Sequence, residues 1–177
     1  MQIKNSKDQF GAIAIFFHWL MAILVITMLA VGLYMVDLPA NSEKNTIYGL
    51  HKATGLLILT LVILRILWRF ANTTPALLIP ALEKIAARTV HWALYGFMFA
   101  MPITGWLLSS AAGYPPSFFG LFEVPVLMAP NPEWLPVFAT MHKWIAYGLI
   151  ATIILHTAAA LKHHFIDKDT IMRRMLP

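Results

Sequence analysis

The chain has 177 residues, of which 59% are hydrophobic and 12% are charged, and its mean hydropathy is +0.71. A soluble domain of this size cannot bury so much apolar surface, so the composition predicts an integral membrane protein. The chain has no cysteine, which excludes disulfides, cysteine-ligated iron–sulfur clusters and covalent haem attachment through a CxxCH motif. The net charge of +5 fits basic loops beside a membrane better than it fits nucleic-acid binding.

Four apolar runs are long enough to cross a bilayer, for which each needs about 20 residues. The first run is too long for the apolar region of a signal peptide and lacks a small-residue cleavage site. We therefore expect an all-α integral membrane four-helix bundle, a single domain over residues 1–177 without a separate globular part. The expected spans cover about residues 11–36, 47–70, 89–110 and 137–161.

The basic residues indicate how this bundle is oriented, because cytoplasmic loops carry an excess of Lys and Arg. Ten of the 13 basic residues fall on one side of the expected spans: Lys4, Lys7, Arg65, Arg69, Lys84, Arg88, Lys162, Lys168, Arg173 and Arg174. The other side has Lys44, Lys52 and Lys143. The sequence therefore predicts that both termini are cytoplasmic and that, in a bacterium, the opposite side is the periplasm.

Prolines mark the third span and the segment that follows it. The sequence MPITG (101–105) predicts a kink in the third helix, which packing alone would explain. The next segment, residues 111–134, is rich in proline and aromatic residues and has no basic residue. We expect it to form an outer cap at the membrane interface; the alternative is a binding lid. Its expected aromatic anchors are Phe118, Phe119 and Trp134.

Histidines are the second unusual feature, because ionisable residues inside a membrane are costly and indicate function. Five of the seven histidines fall within the expected spans: His18, His51, His91, His142 and His156. The other two, His163 and His164, follow the last span directly after Lys162, so we expect them to be interfacial residues at a cytoplasmic helix end.

The depths of these histidines follow from the helical rise of about 1.5 Å per residue. His18 and His156 match in depth in the cytoplasmic half, and His51 and His142 match in the outer half. On the fourth span, the step from His142 to His156 makes nearly four turns and advances about 21 Å, so both look out of one face at two levels. His91 lies near the cytoplasmic start of the third span and has no outer counterpart.

Two pairs of imidazoles inside a four-helix bundle match the axial ligands of two six-coordinate haems. A single membrane histidine is more often an interhelical hydrogen-bonded contact, but pairing at two depths favours ligands. Zinc and copper are disfavoured because each level offers only two ligands, and a proton relay is disfavoured because the apolar parts of the spans have no carboxylate. Gly55, one turn after His51, leaves flat space for a ring or simply serves helix packing.

Four basic residues lie near the expected ligands. Arg65 is fourteen residues after His51, so it faces the same way at the inner level and is our candidate partner for a haem propionate, with Arg69 as second choice. Snorkelling to the headgroups explains both arginines equally well. Lys52 and Lys143 each directly follow a predicted ligand, where they neutralise outer propionates or attract an anionic electron donor.

Several segments of the chain resemble the bacterial cytochrome b561 family, and the resemblance covers nearly the whole sequence. It implies a four-helix inner-membrane protein with two non-covalent b haems, ligated by His18, His51, His142 and His156. His91 stands where the family tends to carry a histidine on the third helix, as a quinone contact, a propionate contact or a packing residue. The segments are FHWL (17–20), LHKATG (50–55), RILWR (65–69), VHWALY (90–95) and HTAAALKHHFIDKDTIMRRM (156–175).

The resemblance also implies electron transfer, with superoxide oxidised at the outer haem and ubiquinone reduced as the acceptor. In that scheme Lys52 and Lys143 are expected to steer superoxide to the outer haem. A rival is a membrane anchor that conducts electrons for a separate dehydrogenase subunit. A haem-free transporter is a remote rival, disfavoured by the missing carboxylates and by the absence of inverted repeats.

Overall fold

The computed structural model describes residues 2–77 and 79–176 and consists mainly of four long helices. All four are long and apolar enough to cross a membrane, which confirms the predicted all-α membrane fold. The helices are α1 (Ala12–Val36), α2 (Ser42–Phe70), α3 (Ala81–Ala111) and α4 (Leu135–Phe165). A hairpin of β1 (Ser117–Phe118) and β2 (Phe122–Glu123) precedes α4, and a 3-10 turn (Arg173–Met175) follows it.

Three of the helices begin or end outside the apolar runs. Helix α2 starts at Ser42 because the side chain of Asn41 accepts a hydrogen bond from the backbone N–H of Lys44, at 2.9 Å. Helix α3 starts directly after Pro80 and continues through Pro102. The polar first turns of α2 and α3 and the basic last turn of α4 therefore extend beyond the apolar part of the bundle.

The buried core lies at mid-height in the bundle. Helix α3 packs on α4, and α2 packs on both α1 and α3. Leu149 is the α4 member of the core and is seven residues from both His142 and His156, so the core separates the two levels at which histidines occur. The buried core residues are Met21, Val25, Ile58, Val62, Tyr95, Met98 and Leu149.

Both termini lie at the same end of the bundle, which is called the inner end; the opposite end is the outer end. The chain after α4 folds back across the inner end to α1, where the indole N–H of Trp19 donates to the carbonyl oxygen of Met175 at 2.7 Å. Arg174 Nη1 donates to the carbonyl oxygen of Ala76, between α2 and α3, at 2.8 Å. The C-terminal segment thus connects α4 with α1 and with the loop between α2 and α3.

The segment between α3 and α4 covers the outer end of the bundle. Its two short strands pair antiparallel, and the rings of Phe118 and Phe122 stack with their centres 5.3 Å apart. Trp106 of α3 donates its indole N–H to the carbonyl oxygen of Pro125 at 2.9 Å. Phe119 and Trp134, two of the predicted anchors, are 44% and 48% exposed.

Candidate functional site

His51 of α2 and His142 of α4 form the outer histidine pair. Their ring centres are 6.4 Å apart and the ring planes are inclined at 73°. A cavity of about 60 Å³ adjoins both rings and is lined almost entirely by apolar side chains. The other lining residues are Val25, Met28, Leu29, Gly55, Ile58, Met98, Met101, Pro102 and Leu149.

The imidazole of His142 is held by a hydroxyl on α3. Thr104 Oγ1 is 3.1 Å from His142 Nδ1 and 2.9 Å from the carbonyl oxygens of both Ala100 and Met101. A hydroxyl has one proton, and because a carbonyl can only accept, Thr104 donates to the backbone and accepts from the imidazole. This arrangement fits a neutral His142 with its proton on Nδ1, the tautomer in which the lone pair of Nε2 is free to bind a metal.

Two glycines allow the outer rings to approach their neighbouring helices. A Cβ atom on Gly105 would lie 3.1 Å from Cε1 of His142, and one on Gly32 would lie 3.3 Å from Cε1 of His51. A Cβ atom on Gly55 would meet nothing within 4 Å, in agreement with the open space expected there. Neither contact follows from the sequence, in which the only signal at Gly105 is the MPITG motif, which predicts a kink.

His18 of α1 and His156 of α4 form the inner histidine pair. Their ring centres are 6.2 Å apart, with planes inclined at 67°. The ring of His91 on α3 lies 5.3 Å from that of His156, so it is a third imidazole at this level. The structure thus brings together the same two pairs that depth along the helices predicts.

Arg65 and Arg69 lie on the inner side of the core, close to the inner pair. Nη2 of Arg65 is 3.1 Å from Nδ1 of His18, and its Cζ lies 5.6 Å from the centre of the Tyr95 ring. Cζ of Arg69 lies 5.9 Å from the same ring and 6.0 Å from that of Trp92. Arg65 thus contacts the inner pair directly, and Arg69 lies beside it on the Tyr95 ring.

The two lysines that follow the outer histidines have different surroundings. Nζ of Lys52 donates to the carbonyl oxygen of Tyr114 at 3.2 Å and lies 5.8 Å from the centre of that residue's ring. Lys52 thereby ties α2 to the outer cap and is half-buried. The side chain of Lys143, the residue after His142 on α4, is exposed.

His163 takes part in an ion-pair cluster at the inner end, outside the histidine pairs. Its Nδ1 is 2.7 Å from Asp169 Oδ2 and 3.2 Å from Asp167 Oδ2. Nζ of Lys162 is 2.6 Å from the same Asp167 oxygen and 3.5 Å from Glu83 at the start of α3. These contacts hold the C-terminal segment against the bundle, as suits an interfacial helix end.

The spacing within each pair fits an iron ion bound between the rings. Metal-to-nitrogen distances to histidine are about 2.0 Å, so an ion midway between two coordinating imidazoles separates their ring centres by roughly 6.3 Å. The observed separations are 6.4 and 6.2 Å. Among the described residues, the buried Nδ1 of His51 has no hydrogen-bond partner. Helix α4 has few close contacts with α1 and α2, the helices that carry the opposite histidine of each pair. Both donor sets thus fit a bis-imidazole haem.

A family model described as prokaryotic cytochrome b561 matches residues 9–177. The chain belongs to the prokaryotic cytochrome b561 family. It is 38% identical to "Cytochrome b561 homolog 2" of Escherichia coli strain K12, over 99% of this chain and 95% of that protein. It is 31% identical to "Cytochrome b561 homolog 1" of the same strain, over 96% and 98%. With "Probable superoxide oxidase CybB" of Yersinia pestis the identity is 28%, over 96% of each chain.

Membership of the cytochrome b561 family, together with the four spanning helices, makes the protein a multi-pass bacterial membrane protein that takes part in electron transfer. It also implies b-type haem as the cofactor. This agrees with a chain that has no cysteine for covalent haem attachment and that brings histidines of different helices together at two levels.

Proposed function

We propose that this cytochrome b561 protein is a di-haem cytochrome that carries single electrons across the inner membrane. His51 and His142 ligate the outer haem, and His18 and His156 ligate the inner one. The observation that carries the proposal is the pair of ring separations, 6.4 and 6.2 Å, in two sets that share α4. Each bound haem supplies one-electron exchange at its own level.

The protein chain orients the ligands and keeps water from them. Thr104 leaves Nε2 of His142 unprotonated, and Gly32 and Gly105 let the outer rings sit close against α1 and α3. The core around Val62, which is fully buried, separates the two levels with apolar side chains. The fourteen-residue step on α4 sets the levels about 21 Å apart along the helix axis.

Arg65 and Arg69 pair with propionates of the inner haem in this proposal. Haem propionates are carboxylates, and a guanidinium group forms bidentate hydrogen bonds with a carboxylate. Arg65 already reaches the inner ligand His18, and Arg69 follows one turn later on the same helix. His91, 5.3 Å from His156, contributes to the surroundings of the inner haem, as a propionate or quinone contact, and does not bind iron.

The electron donor in this proposal is superoxide at the periplasmic side and the acceptor is ubiquinone. Two superoxide anions lose one electron each and leave as O₂, while one ubiquinone takes up two electrons and two protons to become ubiquinol. Removing an electron from superoxide needs no proton acceptor, which suits spans without a central carboxylate. Lys52 and Lys143 give the outer end a positive charge for an anionic donor. The likeness to the Yersinia pestis protein supports this choice of donor.

The test begins with a dithionite-reduced visible spectrum and haem quantitation on the purified protein. Two b haems per chain are expected; one haem would overturn the two-level scheme, and none would overturn the cytochrome assignment. The haem-loaded protein is then mixed with a superoxide source and ubiquinone in detergent. Ubiquinol formation that superoxide dismutase abolishes is expected. Co-purification of a stoichiometric soluble subunit, with no activity of the chain alone, would instead favour an anchor for a dehydrogenase.

A further inference from the structure

Thr104 lies in the part of α3 that faces α4, inside the MPITG sequence. Only 4% of its surface is exposed, and its hydroxyl contacts the outer ligand His142. We infer that Thr104 is a positioning residue that keeps the proton of His142 on Nδ1 and lowers the reduction potential of the outer haem. The inference rests on the proposed function, because it takes His142 as an iron ligand.

The acceptors around the Thr104 hydroxyl determine the direction of its hydrogen bond with His142. The carbonyl oxygens of Ala100 and Met101 are both 2.9 Å from Thr104 Oγ1, so the hydroxyl proton has an acceptor on its own helix. The lone pairs of the same oxygen are left for the imidazole N–H at 3.1 Å. The threonine hydroxyl thus links the backbone of α3 to the ring of His142 by hydrogen bonds.

The imidazole ring of His142 lies close against α3 at Gly105. Gly105 follows Thr104 directly, and a Cβ atom at that position would lie 3.1 Å from Cε1 and 3.5 Å from Nδ1 of His142. The absent side chain lets the imidazole lie against α3 at the distance that the threonine hydroxyl requires. Thr104 and Gly105 together therefore fix the position of the His142 ring, so the MPITG sequence positions this ligand in addition to bending the helix.

The Nδ1 atoms of His51, His18 and His142 have different surroundings. Nδ1 of His51 is buried and has no partner within the described residues, and Nδ1 of His18 faces Arg65, which can only donate. His142 is the one of these three whose Nδ1 meets a side-chain acceptor. A hydrogen-bond acceptor on the distal N–H raises the basicity of the ligating nitrogen. A more basic ligand stabilises ferric over ferrous iron, so the potential of the outer haem falls.

The experiment is a spectroscopic redox titration of the haem-loaded protein, with the outer haem identified as the one absent from His51→Ala. In Thr104→Val the ferrous-to-ferric ratio of the outer haem at a fixed potential should rise about fivefold, while that of the inner haem stays unchanged. Thr104→Ser should restore the original value. Thr152→Val is the matched control, because Thr152 donates to the carbonyl oxygen of Gly148 on α4 at 2.7 Å in the same way and, among the described residues, has no hydrogen bond to a histidine.

An unchanged outer potential in a Thr104→Val protein that retains both haems would overturn the inference, and so would an equal shift in Thr152→Val. If Thr104→Val loses the outer haem, Thr104→Cys decides, because a thiol fits the space and is only a weak acceptor. Its outer potential should rise by a smaller amount, and no rise would overturn the inference. Haem counts on the unaltered protein separate these outcomes from failure of the proposed function, since fewer than two haems there would remove the ligand assignment itself.

Discussion

Arg65 and His18 are in direct contact at the inner end of the bundle, with Nη2 of the guanidinium 3.1 Å from Nδ1 of the imidazole. Because a guanidinium can only donate, Nδ1 accepts and the proton of this ring lies on Nε2. A histidine that binds iron through Nε2 carries its proton on Nδ1 instead. If His18 ligates the inner haem through Nε2, as proposed, Arg65 would have to release Nδ1, and a carboxylate at the same level would give the arginine a new partner.

The first prediction follows from this exchange of partners. Arg65→Leu should lower the occupancy of the inner haem severalfold and leave the outer haem in place, because the variant removes the guanidinium group that pairs with a propionate of the inner haem. Arg65→Lys should have an intermediate effect, since it keeps the charge without the bidentate geometry. Haem quantitation with reduced spectra measures both. Arg69→Leu is the comparison, with a smaller loss expected because Arg69 contacts aromatic rings and no ligand. Full inner-haem occupancy in Arg65→Leu would contradict the propionate role.

The pairing of the histidines was predictable from the sequence because it depends on depth alone. The rise per residue is nearly constant along a helix, so the number of residues from each span end places His18 beside His156 and His51 beside His142. The same regularity carried Arg65 to the inner level. The length of the apolar runs was sufficient to predict the four-helix fold.

The contacts around each histidine were not predictable in this way, because they depend on how the helices are rotated and packed against one another. Gly32 approaches His51 from α1, and Thr104 approaches His142 from α3, although neither is near its partner in the sequence. The return of the C-terminal segment to Trp19 is also a tertiary contact, formed through a backbone carbonyl that no sequence pattern marks.

The second prediction tests the outer pair. His51→Ala should remove the outer haem and leave the inner haem in place. The reason is that the variant would leave His142 as the only remaining ligand of the proposed outer pair. His163→Ala is the control: this histidine pairs with Asp169 at the inner end, so both haems should be retained. The measurement is haem per chain with the reduced spectrum. Loss of both haems from His51→Ala would leave the two-level pairing without support.

The third prediction separates His91 from the ligands. Its ring is 5.3 Å from that of His156, closer than the 6.2 Å between His156 and His18 and too close for an iron ion midway between the two rings. His91→Leu should therefore keep two haems per chain and a low-spin spectrum at both, with a changed potential at the inner haem alone. A high-spin signal or a missing inner haem would show that His91, rather than His18, binds iron opposite His156.

The fourth prediction concerns the space beside His142. Gly105→Ala should shift the absorption band of the outer haem or lower its occupancy, because the added Cβ would lie 3.1 Å from Cε1 of the ligand. Gly49→Ala is the matched control on α2, where an added Cβ meets nothing within 4 Å. That change should be neutral or slightly stabilising, since alanine is the better helix former. Equal spectra for the two variants would mean that Gly105 does not limit the position of the ring.

The fifth prediction concerns the positive charge at the outer end. Superoxide is an anion at neutral pH, so Lys143→Gln should lower kcat/KM for superoxide about threefold at low ionic strength and weaken its dependence on salt. Lys44→Gln is the matched control, because Lys44 is also an outer basic residue but donates to the carbonyl oxygens of Leu38 and Val36, at 2.7 and 3.3 Å.

Lys52→Gln should act more strongly than Lys143→Gln, because it removes a charge and also the hydrogen bond between α2 and the outer cap at Tyr114. Rates measured from low to physiological salt distinguish the two contributions: screening abolishes the difference that is due to charge, whereas a displaced cap lowers the rate at every salt concentration. If Lys143→Gln and Lys44→Gln slow the reaction equally, the net charge of the protein attracts superoxide, and the position of Lys143 beside His142 does not contribute.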